Sequence, residues 1–275
     1  MKTFQEKLET LRPGLIALAG VPFDEYSSFL KGPALAPEKI REAFHSPAGN
    51  YYAEGGIKLF PNPQIMDLGD MEIKEYLDIE ERINEILLAG ANVFSLGGDH
   101  SVTYPIIKGH ARHYDRLNIL QLDAHGDLYE EFDNNRYSHA STFARIMEEG
   151  LVQRLIQIGV RTLSEEQRET AKKYGVEIIE MKSWRSDKKL NLSGPLYLSL
   201  DLDVLDPAFA PGVGHYEPGG MNTRDLIDLI HRIDVPLIGA DIVEYNPNRD
   251  FNGMTAAVAA RLMKEILTVM LKEVR

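Results

Sequence analysis

The chain has 275 residues, no cysteine, and 30 Lys+Arg against 42 Asp+Glu, for a formal net charge of −12. That acidic balance argues against a nucleic-acid or anionic-membrane surface and suits a small cationic substrate, and the missing cysteines rule out a disulfide framework and a thiolate metal site. No apolar run reaches the roughly 18 residues that would span a bilayer, so no membrane segment is expected, and the charged opening MKTFQEKLETLRPG predicts a cytoplasmic protein.

Apolar strand-type runs alternate with helix-type stretches along the chain. Strands are predicted at 14–20 (GLIALAG), 64–68, 91–96, 117–122 (LNILQL), 154–160, 176–180, 195–200 (PLYLSL) and 236–241. Helices are predicted at 37–44, with a proline near its start, and at 73–89, 103–113, 140–149, 164–174, 223–233 and 255–273. Such alternation favours an α/β fold with a mainly parallel sheet covered by helices on both faces. No linker-like or low-complexity segment divides the chain, so residues 1–275 read as a single domain. In sheets of this kind, sites form at the carboxyl ends of the strands.

Three short runs lie at such ends and carry metal-ligand side chains. Gly97-Gly98-Asp99-His100-Ser101 follows 91–96, Asp123-Ala124-His125-Gly126-Asp127 follows 117–122, and Asp201-Leu202-Asp203 follows 195–200. Alternate side chains of an extended segment share a face, so Asp123, His125 and Asp127 are expected to point together, as are Asp201 and Asp203. The paired glycines are expected to let the backbone turn sharply before His100. Any one of these runs could be a cap, a tight turn or an anion cradle; three together are hard to obtain from turn chemistry alone. The set is two imidazoles and four carboxylates without sulfur, a donor mix that suits Mn²⁺ better than a structural zinc. Four carboxylates balance two divalent ions, and a metal pair about 3.5–4 Å apart lowers the pKa of a shared water towards neutrality. The expected chemistry is metal-assisted hydrolysis, with two Mn²⁺ per chain.

These residues resemble the ureohydrolase family of arginases, agmatinases and related guanidino-group hydrolases, and are closest to its agmatinase-like members. The matches are GGDHS at 97–101, DAHGD at 123–127, SLDLDVLDPAFAPGVG at 199–214 and DIVEYNP at 241–247. A softer match, KGPALAP at 31–37, extends the resemblance over nearly the whole chain. The resemblance implies a three-layer α/β/α sandwich around a mostly parallel, eight-stranded sheet, assembled as a homo-oligomer such as a trimer or hexamer. It implies that His100, Asp123, Asp127 and Asp201 hold one Mn²⁺ and that Asp123, His125, Asp201 and Asp203 hold the other. It also implies catalytic roles for Glu244, pairing with the substrate guanidinium, for His139 in YSHASTF, passing a proton to the departing amine, and for Asp127. Asp206 and Asp241 are candidate supports of this machinery.

Two departures bear on the substrate. Gly212-Val213-Gly214-His215-Tyr216 stands where most of the family reads Gly-Thr-Gly-Thr-Pro, which adds bulk and a titratable ring. Arg136-Tyr137-Ser138 stands where arginases carry a Ser-Gly-Asn run for the amino-acid head, which disfavours arginine. The leading expectation is hydrolysis of agmatine to putrescine and urea. An inward-pointing Arg136 would favour a guanidino acid such as 4-guanidinobutyrate, and arginine is a further alternative. A single-zinc deacetylase-like hydrolase and a non-catalytic metal-stabilised protein are more distant readings, separated by metal count and by turnover.

Overall fold

The structure, a computed structural model, describes residues 2–272. Its strands are β1 (Ile16–Gly20), β2 (Ile65–Asp70), β3 (Asn92–Leu96), β4 (Asn118–Leu122), β5 (Arg154–Ile158), β6 (Glu177–Ile179), β7 (Leu196–Asp201) and β8 (Leu237–Val243). They form one sheet in the order β2-β1-β3-β8-β7-β4-β5-β6. Each predicted strand is present, and every pairing is parallel.

Parallel neighbours require crossover connections, and helices supply most of them. Among the described residues these are α1 (Phe4–Leu8), α2 (Ala36–Phe44), α3 (Asp78–Leu88), α4 (Thr103–Ala111), α5 (Thr142–Glu148), α6 (Glu165–Tyr174), α7 (Thr223–His231) and α8 (Met254–Met270). One face of the sheet is covered by α1, α3, α4, α5 and α6 through Leu8, Ile83, Ile106, Phe143 and Ala171. The other is covered by α2, α7 and α8 through Ile40, Leu226, Leu262 and Ile266. The result is the expected three-layer sandwich. Because both faces are covered, β1, β4, β7 and β8 are buried along their whole length, which is why their sequences read as mainly apolar runs.

Helix ends differ from the sequence expectation for local reasons. The stretch 73–89 becomes helical only at Asp78, whose side chain accepts from the amides of Lys74 and Glu75 at 2.9 Å and closes a turn ahead of α3. The stretch 140–149 opens with a 3₁₀ turn, His139–Ser141, before α5. Helix α1 lies outside the expected set, although Thr3 and Glu6 form a complete capping box. The last residue of the expected helix 255–273, Glu273, lies outside the described residues.

The four middle strands are β3, β8, β7 and β4, and all run the same way. His100, Glu244, Asp201 with Asp203, and the Asp123 run lie at or just beyond their carboxyl ends.

Candidate metal centre

Turns, rather than strand alternation, bring the ligands together. Strand β4 stops at Leu122, and Asp127 has φ of 49°, a left-handed conformation that an extended strand does not adopt. Each run closes an Asx turn, with the aspartate side chain accepting from the amide two residues on. Asp99 Oδ1 accepts from Ser101 N at 3.0 Å, Asp123 Oδ1 from His125 N at 2.6 Å, and Asp201 Oδ1 from Asp203 N at 2.8 Å. The spacing of two therefore reflects chain curling about one point.

The paired glycines also act differently from expectation. Neither has a positive φ; instead, both permit close approach. A Cβ on Gly98 would lie 1.6 Å from Phe23 O, and one on Gly97 would lie 2.5 Å from Val243 Cγ1. Gly98→Ala is therefore expected to destabilise the fold by at least about 1–3 kcal/mol. Thermal unfolding of the metal-free protein checks this; an unchanged melting temperature would show that the Phe23 backbone yields without cost.

His100 Nδ1 lies 3.0, 3.1 and 3.2 Å from carboxylate oxygens of Asp123, Asp127 and Asp201. His125 Nδ1 lies 2.9 Å from Asp203 and 3.5 Å from Asp123. Two ligand clusters result, His100 with Asp123 and Asp127, and His125 with Asp123 and Asp203. They share Asp123, and Asp201 adjoins the first. All six expected ligands are thus brought together.

Hydrogen bonding fixes how His100 presents itself. Asp241 accepts from Ser199 Oγ, Thr103 Oγ1 and Tyr197 OH, each at 2.9 Å. With its one proton on Asp241, Ser199 Oγ can only accept from His100 Nε2, 2.9 Å away. A ring proton is therefore fixed on Nε2, so Nδ1 is the atom that offers a lone pair when the ring is neutral. Without an ion, burial disfavours the charged ring, but Asp123, Asp127 and Asp201 outweigh it and raise its pKa. Nδ1 itself is buried, has no hydrogen-bond partner, and faces three carboxylates. A cation is the group that satisfies it.

Electrostatics point the same way. Burial and the Asp123 charge push Asp127 up to about 6, and burial with Asp203 and Asp123 raises Asp201 well above the usual carboxylate range. Burial opposes the Asp123 charge as well, yet His100 and His125 outweigh it and hold that carboxyl well below the usual range. Carboxylates this crowded are relieved by divalent charge, and the sulfur-free donor set fits Mn²⁺.

Glu244 follows β8 with φ of 62°, a strained position for a non-glycine residue. Its Oε1 accepts from His100 N at 2.8 Å and meets His139 Nδ1 at 2.7 Å. The carboxylate also lines the adjoining cavity. His139 Nε2 meets Ser28 twice, at 2.7 Å from Oγ and 3.1 Å from the amide nitrogen. The amide N–H serves the neutral ring and the hydroxyl can accept from the charged one, so both protonation states find a partner. Burial disfavours the charged ring, but Glu244, Asp99 and Asp127 outweigh it and raise the pKa to about 9.

The cavity is about 230 Å³, and its walls include Tyr129, Phe132 and His215. The His215 ring centroid lies 5.6 Å from that of His125 and 5.5 Å from those of His139 and Phe29. Burial, with His139 beside it, lowers the His215 pKa and leaves a neutral aromatic wall. Among the described residues no Lys or Arg lines this cavity. Arg136 points outward and pairs with Glu148 at 2.7 Å. Asp241 supports His100 through Ser199, whereas Asp206 holds a turn by accepting from Ala208 N and Gly219 N at 2.9 and 2.6 Å. Ser28, Tyr129 and Phe132 carry no ligand-type signal and lie outside the expected site. Ser199 could have been found, since it stands two residues before Asp201.

A sequence model described as the arginase family matches residues 15–268. The chain belongs to the arginase family. It is accordingly a manganese-dependent ureohydrolase acting on guanidino C–N bonds. "Arginase 1, mitochondrial" of Arabidopsis thaliana is 42% identical over 271 residues, covering 91% of this chain and 79% of that protein. "N(1)-aminopropylagmatine ureohydrolase" of Thermus thermophilus is 35% identical over 270 residues, covering 92% and 90%. The structure titled "Arginase from Medicago truncatula" superposes with a TM-score of 0.88 at 37% identity, covering 97% of this chain and 91% of that one. The arginase-family fold and enzyme class agree with the sequence reading, while these relatives differ in the substrates their names carry. No described helix is long and apolar enough to cross a membrane.

Proposed function

We propose that the two ligand clusters hold two Mn²⁺ ions and that the enzyme hydrolyses agmatine to putrescine and urea. The substrate reading is carried by the cavity lining: carboxylates of the ligand clusters and Glu244, aromatic rings on the walls, and, among the described residues, no Lys or Arg to pair a substrate carboxylate. Agmatine is a dication without a carboxylate, and aromatic faces attract cations. With Arg136 turned to Glu148, a guanidino acid has no cationic partner there. The polar side chains of the same loop are engaged as well, Asn135 Oδ1 accepting from Tyr137 N and Ser138 Oγ from Ala140 N. Arginine is the second reading, favoured by the 42% identity to a protein named an arginase.

In this reading His100, Asp123, Asp127 and Asp201 hold one ion, and Asp123, His125, Asp201 and Asp203 hold the other. The bound ions supply Lewis-acid charge that makes water a nucleophile near neutral pH. Glu244, anchored through Oε1, offers Oε2 to the guanidinium and orients its carbon towards the ligand clusters. His139 carries a proton to the departing amine nitrogen. Asp127 lines the cavity and so belongs both to the ligand set and to the substrate wall. We read the protein further as a cytoplasmic homo-oligomer, trimer or hexamer, without a nucleic-acid partner.

Urea release by the manganese-loaded protein is to be compared for agmatine, arginine and 4-guanidinobutyrate. Agmatine is expected to show the highest kcat/KM. A higher value for arginine would transfer the site to the second reading, and a higher value for the guanidino acid would contradict the role given to Arg136.

A further inference from the structure

Beneath the ligands, a row of buried polar side chains crosses β8, β7, β4 and β5. The register places Asp241 beside Ser199, Ser199 beside Gln121, and Gln121 beside Gln157. All four are completely buried. Asp241 and Ser199 act on His100, while the two glutamines take no part in the hydrolysis described above.

Their orientation follows from one fixed acceptor. The carbonyl of Gly126 can only accept, so Gln157 turns its amide nitrogen towards it, at 2.6 Å. The same nitrogen donates to Gln121 Oε1 at 2.5 Å. With its oxygen thus committed, Gln121 must direct its nitrogen the other way, where it donates to Asp123 Oδ2 at 2.7 Å and approaches His125 O at 3.5 Å. Neither amide is free to flip.

We propose that Gln121 is a positioning residue for Asp123, that Gln157 holds it in place, and that this two-amide relay sets the Mn²⁺ affinity of the site. The inference rests on the metal reading above. Asp123 belongs to both ligand clusters, so the plane of its carboxylate matters to both. Oδ1 is tied to His125 N and Oδ2 to Gln121 Nε2, at 2.6 and 2.7 Å. Rotation about the bond to the carboxylate carbon is thereby blocked. Without Gln121, Oδ2 loses its amide donor and keeps His100 Nδ1 as a neighbour at 3.0 Å. The relay also has a cost, because Gln157 Oε1 is buried without a partner. An apolar side chain of that shape would avoid the penalty, so the amides serve something other than packing.

The test is a manganese titration of the metal-free wild type, Gln121→Met, Gln157→Met and the double variant, with thermal unfolding of each metal-free protein alongside. Methionine keeps the volume and removes the donor. Gln121→Met is expected to raise the Mn²⁺ Kd about 10- to 100-fold, with its metal-free melting temperature within a few degrees of wild type. Gln157→Met is expected to raise Kd by a smaller factor, and the double variant by less than the product of the two single effects, because Gln157 acts in part through Gln121. A Gln121→Met Kd within twofold of wild type, or additive losses in the double variant, would overturn the relay. Should Gln121→Met fail to fold, Gln157→Met decides alone, an unchanged Kd overturning the proposal. A wild type that takes up no manganese overturns the metal reading itself, and the wild-type arm shows this separately.

Discussion

Replacing Asp123 with Asn is expected to abolish urea release and to lower the manganese content per chain while the sheet stays folded. Asp123 belongs to both ligand clusters, so its charge serves two ions. Asn keeps one oxygen but puts an NH₂ group where the other stood. That NH₂ must face either the His125 amide or the Gln121 amide, both of which are donors, and the donor-to-donor contact turns the remaining oxygen away from at least one cluster. The sheet stays folded because Asn keeps the side-chain volume and one acceptor oxygen, and the apolar cores on both faces are untouched. Metal analysis, a urea assay and a circular-dichroism melt check the three parts. Full activity at full metal content would refute the assignment of Asp123 as the shared ligand.

His139→Ala is expected to slow turnover by roughly 10²- to 10⁴-fold with manganese content unchanged. The separation follows from geometry. His139 Nδ1 meets Glu244 and Nε2 meets Ser28, so neither nitrogen is available as a ligand. Its loss removes a proton donor and leaves Glu244 Oε1 anchored only by the His100 amide. Turnover equal to wild type would reduce His139 to a loop histidine that merely braces Glu244.

The strands were legible because both faces of the sheet are buried, so β4 and β7 are written as mostly apolar runs. The ligands were legible from residue type, since aspartate and histidine gathered at several strand ends have few other uses. The geometry uniting them was not. Asp127 reaches the site through a left-handed backbone, and the same i to i+2 spacing arises from an Asx turn as from a strand. Arg136 could not be oriented from sequence because its partner, Glu148, lies on α5 across the loop. Gln121 and Ser199 look like ordinary polar residues in strands. What marks them is position: each stands two residues before a ligand aspartate, on the same side of its strand.

Strand order has a consequence for how the protein is made. Strand β8, the last in sequence among the described residues, inserts between β3 and β7. Until residues 237–243 leave the ribosome, the chain can form only two separate half-sheets, β2-β1-β3 and β7-β4-β5-β6. Each then exposes an unpaired, apolar edge at what will become the middle of the protein, the kind of edge that recruits other chains. Both edges bear ligand runs, at the ends of β3 and β7, and Glu244 follows β8 itself, so the site is complete only once β8 has entered the sheet. Synthesis must pass Glu244 before catalytic competence is possible, and a nascent chain stalled before β8 is a natural client for a chaperone.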